Sequence, residues 1–176
     1  RLQPIRNAIS KSGNAIFRIG TEAVFSGQVT ISYRDIHFAD PGLKKYQGVL
    51  GTAALAYPFL EIGRFTLIAQ RGLEYSLDGQ EGYYIENSAT LAYTHRLFGR
   101  VDLQGKGSIS RFDYSARLTE PPHIDRYDTV GGSLGYNLPN RTRVAVNYEY
   151  SRRRSPAFSA RNYQRRRVYL SWIFAF

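Results

Sequence analysis

Cysteine is absent from the 176 residues, which removes disulfides, thiolate metal sites and cysteine nucleophiles together and leaves the redox compartment open. Methionine is absent too, and the first residue is Arg1; this reads as a processed protein or a fragment from which any signal peptide has gone. With 16 Gly and only 7 Pro, collagen-like and low-complexity classes are excluded. Long apolar runs are missing. The longest stretch free of Asp, Glu, Lys and Arg is Tyr46–Leu60, 15 residues interrupted by Gly48, Gly51 and Pro58. A membrane helix needs roughly 20 apolar residues. Acid is in short supply, 14 residues against 24 bases, for a net charge of +10. The length fits one domain or part of a larger one, and aromatics at 14% are too frequent for a disordered chain.

What is present is alternation. Val144, Val146, Tyr148 and Tyr150 are interleaved with Arg143, Ala145, Asn147 and Glu149. Val101, Leu103, Gly105, Gly107 and Ile109 alternate with Asp102, Gln104, Lys106, Ser108 and Ser110. Period two of this length predicts strands with one apolar and one polar face. Nine segments read this way, at about 15–23, 27–38, 47–57, 64–75, 83–96, 100–114, 127–137, 142–151 and 163–176. Most are about 9–14 residues long, enough for the roughly 9–11 that a tilted strand needs to cross a bilayer. Residues 1–14 are less periodic and are read as an N-terminal segment or partial strand, leaving 15–176 as the barrel. Short connections near 58–63, 97–99 and 138–141 alternate with longer ones near 39–46, 76–82, 115–126 and 152–162. The fold class expected is all-β, an antiparallel up-and-down transmembrane β-barrel of about eight to ten strands, whole or part of a larger barrel. An odd count of nine points to a missing portion, a strand within residues 1–14 or assembly from several chains, because bacterial single-chain barrels have even numbers.

The two faces are then assigned. Tyr33, Tyr57, Tyr93, Tyr136 and Tyr150 recur at the ends of apolar rows, which suits the headgroup level of a membrane. The polar rows carry Arg18, Arg34, Lys106, Arg143 and Arg167 against Glu22, Glu74, Glu86, Asp102 and Glu149. A set balanced in sign fits a lumen where charges pair across strands or meet water. The alternative is an ordinary solvated sheet face. The excess positive charge collects in the last long loop and its flanks, at Arg152, Arg153, Arg154, Arg161, Arg165 and Arg166. The first three with Arg161 and Arg165 are candidates for binding lipopolysaccharide phosphates or an anionic polysaccharide at an outer mouth.

Catalytic and metal chemistry finds little support. His37, His95 and His123 lack ligand spacing, and no G-x-S-x-G occurs. Asp125 and Asp128 near Glu120 form a weak candidate for a hard cation, with a solvated acidic loop as the competing reading. No cofactor is expected. The Arg run lacks a groove-reading element, so nucleic acid is not expected as a partner.

The C-terminal row Val168, Leu170, Trp172, Phe174 and Phe176 ends on the final residue. It resembles the closing strand of bacterial outer-membrane barrels, which the barrel-assembly machinery reads; Tyr169, Ser171, Trp172, Phe174 and Phe176 are the matching positions. Ser171 departs from it, since that pattern often has Gly there. The resemblance implies a periplasmic C-terminus, long loops outside and short turns inside. YYIENSATLAYTHR at Tyr83–Arg96, with GGSLGYNLPNRTRVAVNYEYSRRRS and RNYQRRRVYL within Tyr127–Phe176, resembles the bacterial family called "putative beta-barrel porin 2". The resemblance extends from Phe17 to Phe176. Members are usually about twice this long, which implies a match to the C-terminal half of such a barrel. It implies a bacterial outer-membrane location, lipid and lipopolysaccharide as surroundings, and, from relatives linked to exopolysaccharide secretion, a polysaccharide-export role with a periplasmic partner. Three functions compete: a channel for a polar solute or polysaccharide, a small plugged structural barrel that binds lipopolysaccharide or a partner through its outer loops, and a soluble basic barrel.

Overall fold

A computed structural model describes residues 7–20, 24–60, 62–76, 82–115, 122–139 and 142–174. Glu22 and Phe176 lie outside the described residues. Nine strands follow one another: β1 Ala8–Ile19, β2 Ser26–Phe38, β3 Tyr46–Phe59, β4 Gly63–Tyr75, β5 Tyr83–Phe98, β6 Val101–Tyr114, β7 His123–Asn137, β8 Thr142–Arg154 and β9 Tyr163–Phe174. They form one sheet in sequence order, and every neighbouring pair is antiparallel. β1 and β9 do not pair with each other, so the sheet is open.

Local chemistry places the reversals. Gly99 takes φ +50° in the two-residue turn between β5 and β6, where glycine carries no steric penalty. Between β2 and β3, Asp40 Oδ1 accepts from the Gly42 N–H at 2.8 Å, a side chain closing its own turn. The loop after β8 holds itself together through the Ser155 N–H on Asn162 Oδ1 at 2.6 Å and a 3₁₀ turn at Ser159–Arg161.

Register follows the period-two pattern. Each apolar row pairs with the next, as in Tyr136–Val144–Trp172 and Leu134–Val146–Leu170. Burial then runs opposite to a soluble sheet. On β7 and β8, Val130, Leu134 and Val146 are more than half exposed. Ser133, Ala145, Glu149 and Ser151 on the other face are buried. Trp172 and Leu170 on the edge strand β9 are each 76% exposed. The apolar cluster is small: Ile36, Tyr46, Leu50, Leu73, Tyr83 and Ile85, with Phe38 packed against it, at the long-loop ends of β2 to β5. Water would strip such a sheet of its main stabilising term, whereas hydrocarbon accepts the outward side chains at no cost. No helix is long and apolar enough to cross a membrane among the described residues.

Three boundaries differ most from the reading of the sequence, and one is β7, which begins at His123 rather than near residue 127 because its pairing with β6 runs out to Tyr114. β1 begins at Ala8 rather than near residue 15, because it is an edge strand, exposed on both faces, and Lys11 interrupts its apolar row. β8 continues through Arg154 because its pairing with β7 reaches Arg126.

Candidate functional site

Strand pairing puts Arg18, Arg34, Glu74, Glu86, Asp102, Lys106, Arg143, Glu149 and Arg167 on one face, the polar one. The best-knit part lies on β6 to β9. Arg143 grips Asp102 with two nitrogens, Nη2 to Oδ1 at 2.6 Å and Nε to Oδ2 at 2.9 Å. Asn137 donates to the same carboxylate at 2.7 Å, and Arg143 Nη2 also donates to Ser133 Oγ at 3.2 Å. The Asp102 side chain is 9% exposed and that of Arg143 15%, so this pair sits away from bulk water. Glu149 takes two cations, Lys106 at 3.2 Å and Arg167 at 2.5 Å.

Both constellations cross β7 at a glycine. Lys106 and Glu149 each stand opposite Gly131 on its two sides, and a Cβ there would touch Lys106 Cε at 3.5 Å. A Cβ at Gly135 would run into the Arg143 guanidinium. A larger residue at Gly135 would displace the guanidinium from Asp102, whereas at Gly131 a Cβ would press on the Tyr148 carbonyl oxygen at 2.8 Å. Sequence reasoning missed these glycines as positioning residues, although the repeated Gly of GGSLG on a polar row was the available signal.

The remaining charges are less tied. Arg18 reaches Gln28 Oε1 at 3.4 Å. The buried Nε of Arg34 has no partner among the described residues. Nearer the long loops, Arg153 binds the fully buried Asp125 at 2.6 Å and Tyr114 Oη at 3.2 Å. An aromatic group gathers beside it on the same side, with Tyr84 against Phe112 and Tyr114, and Tyr114 stacked on His123 at 4.5 Å.

The five arginines read as one outer-mouth cluster do not form one. The strand extends to Arg154, so successive side chains alternate. Arg152 and Arg154 lie on the apolar face, and Arg154 pairs with Asp128 at 2.6 Å. Arg153 and Arg165 lie on the polar face. Arg161 sits in the 3₁₀ turn, 3.3 Å from His123 Nε2 and over the Phe158 ring. Of the cation candidate, Glu120 lies outside the described residues, and Asp125 and Asp128 are not brought together, because both are in β7, on opposite faces, each joined to its own arginine. Among the described residues no group of three or more His, Asp or Glu is placed to hold a metal ion. His37 contacts Asp35 at 3.2 Å, and His95 contacts Tyr93 Oη at 2.8 Å.

On β9, Tyr169 and Ser171 face the polar side, where Asn147 Nδ2 donates to Ser171 Oγ at 2.9 Å. Trp172 and Phe174 face the apolar side. The family model described as "Putative beta-barrel porin 2" matches residues 6–176. No curated protein matches the chain, and no solved structure does. With a meander of nine strands, polar side chains sheltered on one face and apolar ones bare on the other, the chain belongs to the Putative beta-barrel porin 2 family of bacterial outer-membrane β-barrels.

Proposed function

We propose that this barrel is a passive channel for polar solutes, a saccharide chain among them, with its C-terminus in the periplasm and its long loops outside. The observation that carries the reading is the sheltered ionic face: Asp102 with Arg143, and Glu149 between Lys106 and Arg167. Charges kept in pairs along a wall tolerate a narrow aqueous path without the cost of isolated buried ions. Saccharide passage is supported by the rings of Tyr84, Tyr114 and Tyr127 on that same face, since an aromatic ring offers a flat apolar surface and a polar tip. Transport of this kind requires no bond to form or break.

Closure is part of the proposal. A lone edge strand in hydrocarbon leaves N–H and C=O groups unsatisfied, each costing several kcal/mol. The outer edges of β1 and β9 therefore pair with each other or with further strands, and the total sets the bore: about eight strands fill with side chains, about sixteen leave water. Conductance across a planar bilayer tests this. We expect steady currents, and Glu149→Gln shifts the zero-current potential in a salt gradient towards anions, because Lys106 and Arg167 lose their shared counter-charge. A barrel that inserts but carries no current is the plugged form that acts through its loops.

A further inference from the structure

On the apolar face, just below the long loops, one rung of the sheet is basic. Arg71, Asn87, Arg111, Arg126 and Arg154 stand directly opposite one another on β4, β5, β6, β7 and β8. Like charges opposed in this way repel, and Arg126 has an arginine on both sides. Two acids relieve part of it, Asp113 on Arg111 at 2.7 Å and Asp128 on Arg154 at 2.6 Å. Arg126 has no carboxylate within 4.0 Å among the described residues. Arg152 adds a further positive charge one rung below.

Arg166, opposite Tyr150 on the edge strand β9, is the last of it. From Val130, Tyr148 and Val168 towards the short turns, this face has no Lys or Arg among the described residues, only apolar groups and aromatics such as Tyr57, Tyr93 and Tyr136. A membrane with equal leaflets would give no reason for such asymmetry. Below the rung the surface is indented, with a hollow of about 800 Å³ whose apolar side is made by Ala69, Ala89 and Ile109 and whose basic side is the rung itself.

We propose that this rung is a binding site for a phosphorylated glycolipid of the outer leaflet, the phosphate on Arg111, Arg126 and Arg154 and an acyl chain in the hollow. Guanidinium groups meet phosphate oxygens in charge-assisted, bidentate hydrogen bonds, and an anion there would relieve the repulsion between neighbouring strands. This rests on the membrane orientation proposed above, with the long loops outside.

The test uses the protein folded in vesicles, then extracted in mild detergent and examined by native mass spectrometry. Three probes are compared: a bisphosphorylated glycolipid, its dephosphorylated form, and inorganic phosphate. Retention of the bisphosphorylated lipid alone supports the site. Arg126→Gln, which breaks no ion pair, and the double variant Arg111→Gln with Arg126→Gln then lose affinity by roughly tenfold or more per arginine. Arg100→Gln, in a short turn, retains the lipid as the parent does. A barrel that inserts but holds phosphorylated and dephosphorylated lipid equally overturns the proposal and leaves the channel reading standing. Retention that survives the double variant, or equal occupancy by inorganic phosphate, overturns it too. Failure to insert overturns the membrane orientation, and this site with it.

Discussion

Asp102→Ala is expected to destabilise the folded barrel by about 3 kcal/mol, the lower end of what removal of one partner from a buried ion pair costs. Arg143 would keep its charge at 15% side-chain exposure with only Ser133, among the described residues, left to accept from it. Asn137 would also lose its carboxylate. The cost thus comes from the stranded guanidinium more than from the lost attraction. Arg143→Ala added to Asp102→Ala should recover part of the loss, which a double-mutant cycle measures. Gly135→Val should reproduce the damage without removing any charge, since its side chain would occupy the place of the Arg143 guanidinium. Urea unfolding in vesicles, followed through the emission of the single tryptophan, Trp172, reads all of these. A cost below about 0.5 kcal/mol would mean the pair behaves like an exposed one, open to solvent.

Leu91→Arg should cost about 2–4 kcal/mol, the penalty for a cation on the lipid face at the bilayer midplane. Leu91 lies on the rung of Leu55, Leu67 and Val130, between the arginine rung and Tyr93, and is more than half exposed. Thr90→Arg, one residue earlier, faces Ile68 and Ser108 on the polar side and should be nearly neutral. Neighbouring positions that respond so differently are the signature of a sheet whose exposed side meets hydrocarbon. Folding yield into vesicles, with the same urea titration, gives the comparison. Equal tolerance at both positions would show that Leu91 meets water.

The alternation in the sequence was enough to locate nine strands and to divide their side chains between two faces, because β-structure has a strict period of two. It failed where alternation itself fails. Ala8–Asn14 belongs to an edge strand with weak patterning. Arg152–Arg154 is three like residues whose faces are set only by pairing with β7. Partner choice was also hidden. Asp102 and Arg143 are 41 residues apart, and only register brings them together. Tandem arginines in a row suggest one basic cluster; on a strand they are divided between two environments. The basic rung had no linear signature, since its members come one from each of five strands.

Gly131 and Gly135 have an effect beyond letting charges meet. Since they project nothing, the long side chains of Lys106 and Arg143 recline against the wall instead of standing out into the central space. In the channel proposed above, whatever its diameter, less of the cross-section would be obstructed along this stretch, and a passing molecule would slide over a lining of neutralised charge held flat.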